Sequence, residues 1–233
     1  MAFDATLHDI DGVAGWLSDA QALRLWARAS ELRPPARIVE IGSFQGRSTI
    51  VLARAAADGI AIVAIDPHAG NDRGPQELEG FEEEAANDNV VFNDNLTRAG
   101  VRERVTHVRK LSSDAHGDVA DPIDLLYIDG AHRYRPALDD IRAWGARVRP
   151  GGTMLIHDSF SSIGVTLAIG RALLTSTEFR YVGRSGSMTE YRREPTSAAS
   201  NARRQAAQLP WFAKNVVLKT LIASKIIKRD WPY

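Results

Sequence analysis

Acidic residues close three separate apolar segments of this 233-residue chain. Asp66 ends Ala-Ile-Val-Ala-Ile-Asp, Asp129 ends Ile-Asp-Leu-Leu-Tyr-Ile-Asp, and Asp158 ends Thr-Met-Leu-Ile-His-Asp. Carboxylates accept hydrogen bonds from ligand hydroxyls, act as general bases and bind hard cations such as Mg²⁺. Because ligands of open α/β sheets bind beyond the carboxyl ends of the strands, three strands that end in acids predict an active site at one edge of a sheet.

A glycine turn follows a further apolar segment, Arg37–Ile41. Gly42 and Gly46 allow backbone angles that other residues avoid, and they let a ligand approach closely. Ser48 then opens an apolar helical segment, whose start offers unpaired N–H groups and the positive end of the helix dipole. Glu40 lies just before the turn, where a carboxylate is costly without a polar partner. This combination favours a ligand-binding turn over an ordinary strand–loop–helix connection.

The turn does not match two common phosphate-binding motifs. It reads Gly42-Ser-Phe-Gln-Gly46, without Gly-Lys-Ser/Thr and without Gly-x-Gly-x-x-Gly. Glu40 would also repel a diphosphate at this place. Asp66 follows the turn at a spacing of about 20 residues, which is typical of ribose recognition. A cationic or zwitterionic ligand that carries a ribose therefore fits best.

Strands and helices alternate along the chain, and this order must position the acids. Short apolar segments predict strands over 37–41, 61–66, 105–108, 123–129 and 153–158. Helical periodicity predicts helices over 18–32, 50–57, 79–99, 136–148, 164–177 and 211–229. The segments 179–182 and 188–191 flank Gly183–Gly186 and predict an antiparallel hairpin. The alternation predicts an α/β fold with a Rossmann-like, doubly wound and mainly parallel sheet.

The composition limits the possible functions. The 29 Lys and Arg residues balance the 29 Asp and Glu residues, so overall charge gives no reason to expect nucleic acid as a partner. The absence of cysteine excludes disulfides, a thiol nucleophile and a thiolate metal site. No signal-peptide pattern or membrane-length apolar stretch is found, so we expect a cytoplasmic protein. The charge is uneven, with an acidic stretch at 70–95 and a basic stretch at 200–233.

Taken together, these motifs resemble those of class I S-adenosylmethionine-dependent methyltransferases, over roughly residues 36–191. Glu40-x-Gly42-x-x-x-Gly46-x-Ser48-Thr49 is similar to the first cofactor-binding motif of that family. Asp66 corresponds to the acid that holds the ribose hydroxyls, and Ser112-Ser113-Asp114 falls where the family contacts adenine. The resemblance implies S-adenosylmethionine as cofactor and a seven-stranded sheet whose last strand is antiparallel. The implied cofactor-binding residues are Glu40, Gly42, Ser43, Gly46, Ser48, Thr49, Asp66, Ser112, Ser113, Asp114 and Asp129.

Three further motifs resemble a branch of small-molecule O-methyltransferases related to macrocin O-methyltransferase. They are Ile128-Asp129-Gly130-x-His132, Pro150-Gly151-Gly152 and His157-Asp158. The resemblance implies an O-methyltransferase that acts on a small hydroxylated acceptor, with a saccharide expected. A narrower likeness, to a mycobacterial enzyme, suggests the 1-hydroxyl of a methylated mannoside.

A sugar hydroxyl is a poor nucleophile, so it needs a base or a metal ion. His132 is the candidate base because its unperturbed pKa lies near working pH, with Asp129 as the second catalytic candidate; a loop histidine that only packs is the alternative. Metal-dependent relatives bind magnesium through acids that match Asp129 and Asp158 and through the residue after the second acid, here Ser159. Since serine is a weaker ligand than the Asp or Asn of those relatives, Mg²⁺ is a possible cofactor here and its requirement stays open.

Two other functions compete with methyl transfer. The first is an NAD(P)-dependent Rossmann oxidoreductase, which Glu40 and Phe44 disfavour because they leave little room for a pyrophosphate. The second is a non-catalytic saccharide-binding protein of the same fold. Binding of S-adenosylhomocysteine against NAD distinguishes the first alternative, and a methyl-transfer assay distinguishes the second.

The chain divides into three expected parts. Residues 1–35 form an N-terminal helical segment or cap, 36–193 the S-adenosylmethionine-binding catalytic domain, and 194–233 a linker with a C-terminal amphipathic helix. Apolar residues cover more than half of that last helix. This distribution favours burial against the core or in a homodimer over contact with a membrane surface.

Overall fold

The computed structural model of the protein describes residues 2–68 and 82–225. The helices are α1 (Phe3–Asp9), α2 (Asp19–Ser30), α3 (Arg47–Ala55), α4 (Glu82–Arg98), α5 (Tyr134–Ala143), α6 (Ile163–Ala172), α7 (Ala198–Ala206) and α8 (Leu209–Ala223). The strands are β1 (Arg37–Ile41), β2 (Ala61–Ile65), β3 (Val105–Val108), β4 (Ile123–Ile128), β5 (Val148–Ile156), β6 (Phe179–Ser185) and β7 (Met188–Arg193). Within these described ranges, no helix is both long and apolar enough to span a bilayer.

The strands form one seven-stranded sheet in the order β3-β2-β1-β4-β5-β7-β6. The strands from β1 to β5 pair in parallel, whereas β7 lies antiparallel to both β5 and β6. The predicted doubly wound sheet and its antiparallel last strand are thus confirmed. The β6–β7 hairpin turns at Gly186, which has a φ of +53°. The antiparallel strand β7 therefore lies one place inside the sheet edge.

The order of the strands reverses between β1 and β4, which lie side by side but lead outward in opposite directions. Backbone hydrogen bonds continue beyond the strand ends on this edge: Gly42 N–H donates to Ile65 O (2.9 Å) and Asp129 N–H to Ile41 O (2.8 Å). A crevice at such a reversal is the usual ligand site of open α/β sheets. The acids of β2 and β4 are therefore held at one rim.

Apolar clusters cover both faces of the sheet. On one face, Leu25 of α2, Ile50 of α3 and Phe92 of α4 belong to the same buried cluster. On the other face, Ile141 of α5 and Ile169 of α6 belong to a second cluster. The central strands β1, β2 and β4 are almost fully buried between these layers, as parallel strands covered on both faces must be. This double cover fixes the strand ends that carry the acids.

Several elements differ from those predicted. Helix α1 lies within the predicted N-terminal helical segment, but its bounds were not predicted, and β5 begins at Val148 instead of residue 153. The linker predicted at the start of the segment 194–233 covers the polar residues 194–202, but α7 begins at Ala198. Its Asn201 is fully buried, because its side-chain amide accepts from Tyr181 N–H (2.8 Å) and donates to carbonyls at the end of α6 and in β6. A polar sequence therefore packs against the sheet through hydrogen bonds that periodicity does not reveal.

Two predictions fall partly outside the described residues. Residues 67–78 are rich in Pro, Gly, Asn and Asp, which predicts a loop. This loop and the acidic stretch at 70–95 together include residues 69–81, and the predicted last turns of the C-terminal helix include residues 226–229, all outside the described residues. Within the described part, Trp211 and Phe212 of α8 pack against the second apolar cluster. The first turn of α8 is therefore attached to the core.

Candidate functional site

A cavity of about 550 Å³ opens at the carboxyl ends of β1, β2 and β4. Its wall contains three groups of residues: the segment before α2, the glycine turn with the end of β2, and the loops after β3 and β4. Among them are Gly15, Trp16, Gly42, Ser43, Phe44, Arg47, Ser48, Asp66, His68, Ser112, Ser113, His116, Asp129, His132, Arg133 and Asp140. A volume of this size suits a ligand of cofactor dimensions.

Asp66 organises the glycine turn. Its Oδ2 accepts the backbone N–H groups of Ser43 (2.9 Å) and Phe44 (2.8 Å), and its Oδ1 accepts that of His68 (2.8 Å). A carboxylate offers about four acceptor sites, so three of them serve the protein and one site on Oδ1 stays available to a ligand hydroxyl. The acid predicted to bind ribose therefore also sets the shape of the turn.

Glu40 lies behind the turn and not in the cavity wall. It is fully buried, and its carboxyl group accepts the hydroxyls of Ser48 and Thr49 at the start of α3. Burial raises the pKa of Glu40 to about 8, although these hydrogen bonds act to lower it. Glu40 and Thr49, both predicted to bind cofactor, thus connect β1 to α3 from below, while Ser48 lines the cavity.

A side chain at either glycine of the turn would clash with protein atoms. A Cβ on Gly42 would lie 2.3 Å from the carbonyl oxygen of Asp129, and one on Gly46 would lie 2.5 Å from Leu96 Cδ1. Both glycines also have φ near +85° to +90°, which side chains rarely adopt. Gly42 therefore permits β1 and β4 to approach each other. Gly46, predicted to bind cofactor, does not line the cavity and instead permits the turn to pack on α4.

The loop after β3 forms the opposite end of the cavity. Ser112 and Ser113 line it, and the Ser112 hydroxyl donates to Asp140 Oδ1 (2.5 Å). Burial raises the pKa of Asp140 to about 6. Asp114 is exposed and does not line the cavity, because the short helical turn at 112–114 directs it outward. His116, which sequence reasoning missed, lines the wall and stacks on the Trp144 ring at 4.5 Å.

A cluster of acids and histidines forms the floor beside β4 and β5. His132 Nε2 lies 2.9 Å from Asp158 Oδ2, and His157 Nδ1 lies 3.1 Å from Asp129 Oδ1. The Tyr127 hydroxyl donates to Asp129 Oδ2 (2.9 Å). The ends of β4 and β5 and the loop after β4 thus meet here, as expected from the acids that follow these strands.

The charges of this cluster support one another. Burial alone would lower the pKa of His157, but the charge of Asp129 and hydrogen bonds to Asp129 and Asp158 raise it to about 10. Burial likewise opposes a charge on His132, yet the hydrogen bond and charge of Asp158 raise its pKa above the usual value. The two histidines hold the pKa of Asp158 well below its ordinary value, in spite of its burial. Asp158 is therefore ionised at neutral pH.

The predicted metal ligands are only partly brought together. Asp129 and Asp158 group with His132, and their ligand atoms all lie within 4.8 Å of one another. Ser159 is not part of this group: it is fully buried, and its hydroxyl bonds to Ile156 O (2.8 Å) and Thr189 Oγ1 (2.7 Å). The positive φ of Asp158, +52°, reverses the chain there. Two carboxylates and an imidazole are a donor set that divalent cations accept, so the fit for a cation includes His132 instead of Ser159.

The N-terminal segment completes the cavity, which the sequence did not predict in detail. The Arg47 guanidinium donates to Ile10 O (2.9 Å) and Val13 O (2.8 Å), and so holds this segment over the turn. Trp16 is 40% exposed at the wall, and its ring lies 5.7 Å from that of Phe44. The link is missed in sequence because Arg47 reads as an ordinary first-turn residue of a helix.

Comparison with known proteins identifies a family. The model of the methyltransferase domain matches residues 39–159 of this chain. The Sinorhizobium fredii protein y4gI is 29% identical over 157 residues. That alignment covers 65% of this chain but 16% of y4gI, so this chain spans only a small part of the length of that relative.

Solved structures show the same fold. Cofactor-bound Rv0187 from MTB is 21% identical, with a TM-score of 0.59 over 83% of this chain and 89% of that one. The Bacillus cereus O-methyltransferase in complex with SAH is 18% identical, with a TM-score of 0.57 over 82% and 90%. SAH-bound PaMTH1 of Podospora anserina is 16% identical, with a TM-score of 0.60 over 82% and 88%. At these identities the likeness concerns the fold.

Proposed function

The chain belongs to the methyltransferase domain family, and from this membership we propose that it transfers a methyl group from S-adenosylmethionine to a hydroxyl of a small acceptor. The observation that carries the proposal is one cavity whose wall contains the glycine turn, Asp66 and His132. His132 in turn pairs with Asp158 behind the wall. A nucleoside site and a basic group thus open into the same space. We assign the catalytic unit to residues 36–193, with the segment 1–35 supplying part of its wall.

The described residues fit S-adenosylmethionine. The remaining acceptor site on Asp66 Oδ1 suits a ribose hydroxyl, and Ser112 and Ser113 suit the adenine end. Ser43 Oγ is buried at the wall and has no hydrogen-bond partner among the described residues. Since a buried hydroxyl without a partner is costly, it favours a polar ligand atom at this point.

His132 is the proposed general base. When bound, the cofactor would supply an electrophilic methyl group, which the acceptor oxygen attacks in line while the sulfur leaves as a neutral thioether. The Nε2–H group of neutral His132 donates to Asp158, so the acceptor lone pair is on Nδ1. Nδ1 takes the proton of the acceptor hydroxyl as the oxygen attacks. Asp158 then stabilises the imidazolium, as the aspartate of a catalytic triad does.

A divalent cation is the second possibility, and the grouping of Asp129, His132 and Asp158 favours it. These three residues would hold the cation, which would lower the pKa of a bound hydroxyl. Charged His157, 3.1 Å from Asp129, opposes a cation at this place. If Nε2, the nitrogen near Asp158, bound a cation, the neutral imidazole would carry its proton on Nδ1 and could not act as the base. The two mechanisms therefore exclude each other.

We propose a saccharide as acceptor, with the 1-hydroxyl of a methylated mannoside as the first compound to test. The resemblance of Asp129-Gly130-x-His132 to sugar O-methyltransferases supports this choice. The exposed ring of Trp16 at the cavity adds an apolar surface next to polar groups, as small-molecule sites commonly have.

Two measurements test the proposal. Calorimetry should detect binding of S-adenosylhomocysteine and none of NAD; the reverse result would point to an oxidoreductase. A methyl-transfer assay with a panel of sugars, run with and without EDTA, should then detect turnover. Activity that survives EDTA supports His132 as base, and activity that EDTA abolishes and Mg²⁺ restores supports the cation. Cofactor binding without turnover on any hydroxylated acceptor would contradict the proposal.

A further inference from the structure

Helix α8 has an outward face that does not contact the sheet. Asn215 marks the inward face: it is 2% exposed and donates to Phe160 O (3.2 Å). Val217, two residues further, lies about 200° around the helix and is 59% exposed. By helical spacing, positions 210, 213, 214, 217 and 221 share this outward face.

The outward face is apolar and basic. Pro210, Ala213 and Lys214 are exposed with Val217, and Leu221 is half-buried at its border. Val217 is exposed to 59% and lies beside exposed proline and alanine, so this face is apolar apart from Lys214. This face therefore has the properties of a contact surface.

The charge around α8 has one sign. Residues 195–229 contain seven Lys and Arg residues and no Asp or Glu. Of these bases, Arg203, Arg204, Lys214 and Lys225 are exposed in the structure. The chain as a whole is neutral, so the basic excess is local to this segment. A surface with apolar side chains and a local positive charge complements an anionic surface with an apolar interior.

The sequence favours burial of this helix, but its exposed outward face leads us to another conclusion: we propose that the outward face of α8 binds the surface of an anionic lipid bilayer. Interfacial helices combine apolar side chains, which enter the headgroup region, with lysine and arginine, which attract acidic lipids. A second copy of the chain fits less well. In a two-fold dimer the face would meet itself, and Lys214 would approach the same lysine of the other copy.

The position of α8 relates this surface to the cavity. Its first turn lies near β6, where the Arg184 guanidinium stands 3.9 Å above the Trp211 ring. Asn215 then reaches Phe160, two residues beyond Asp158. A bilayer bound to α8 would therefore lie close to the same edge of the sheet as the acid–histidine cluster. The proposal itself does not depend on methyl transfer.

Co-sedimentation of the full chain with vesicles tests the proposal. We expect binding to phosphatidylcholine vesicles that contain phosphatidylglycerol, little binding to phosphatidylcholine alone, and weaker binding at high salt. Lys214→Gln should lower the partition coefficient about fivefold, the value for one basic residue near an anionic surface. Val217→Asp should lower it about tenfold or more, because a carboxylate replaces an apolar group at the interface.

Matched variants elsewhere serve as controls. Arg33→Gln removes an exposed arginine before β1, at the opposite edge of the sheet, and Leu23→Asp changes a leucine of α2 that is 49% exposed. Both should bind vesicles like the unchanged protein. Equal binding of Val217→Asp, or no binding to phosphatidylglycerol vesicles, would overturn the proposal. A dimer in light scattering that Val217→Asp converts to monomer, without vesicle binding, would overturn it in favour of self-association.

Discussion

Asp66 and Asp158 both follow a parallel strand of the sheet, β2 and β5 respectively, yet the surroundings of the two carboxylates differ completely. Asp66 accepts three backbone N–H groups and organises a turn. Asp158 meets two histidine side chains and sits among charges. One sequence signal, an acid at the end of an apolar strand, thus produces an acceptor for backbone N–H groups in one place and a partner of two histidines in the other. The difference arises from what the following loop brings near the carboxylate.

The largest expected effect is at the catalytic end of this comparison. His132→Ala should reduce turnover by about 10²–10⁴-fold, the usual contribution of a general base. Binding of S-adenosylhomocysteine, measured by calorimetry, should stay unchanged, because the base does not hold the cofactor. His116→Ala is the matched control: it should weaken cofactor binding and leave turnover at saturation nearly intact. Near-normal turnover of His132→Ala with saturating cofactor would remove the catalytic role.

In the glycine turn, packing against α4 should decide which residues are tolerated at position 46. Gly46→Ala should destabilise the fold by about 1–3 kcal/mol, since added volume in a packed site forces neighbours to move. Gly59 also has a positive φ, +84°, but a Cβ there would meet only Pro34 at 3.5 Å. Gly59→Ala therefore measures the backbone cost alone in the same urea denaturation experiment. Equal losses for the two variants would show that contact with Leu96 is unimportant.

Asp66→Asn sharpens the contrast between the two acids. The amide retains one oxygen but places an NH₂ group against a backbone N–H, so one hydrogen bond to an ionised group is lost. We expect about tenfold weaker S-adenosylhomocysteine binding, equivalent to about 1.4 kcal/mol. Turnover at saturating cofactor should change little. A variant that binds normally but turns over slowly would assign Asp66 to the chemistry instead.

The last prediction concerns pH and Glu40. The pKa of Glu40 is raised to about 8 in the fold, so the folded state keeps a proton that the unfolded chain releases above pH 4.5. Its contribution to stability is complete below pH 4.5 and is lost as pH rises through 8. Glu40→Gln cannot titrate and should flatten the decline of thermal stability between pH 5 and 8. The raised pKa of His157 also makes stability fall as pH rises, but equally in the unchanged protein and in Glu40→Gln. Parallel stability profiles of the two proteins would therefore contradict the raised pKa of Glu40.

Local patterns were sufficient for the fold and for much of the site. Alternation of apolar strands with helical periodicity determines a parallel sheet, because strands covered on both faces must be apolar throughout. The acids at the ends of β2, β4 and β5 then had to share one rim. His132 was also predictable, since it follows Asp129 in the same loop.

Tertiary structure decided which of these residues face the cavity. Glu40, Gly46 and Thr49 belong to the same motif as Ser43, but they point beneath the turn, where they connect β1, α3 and α4. Ser159 follows Asp158 in sequence and lies apart from the acid–histidine group, because the chain reverses between them. The N-terminal segment reaches the cavity only through the bonds of Arg47 to Ile10 and Val13. Contacts between distant segments depend on packing, and no local spacing encodes them.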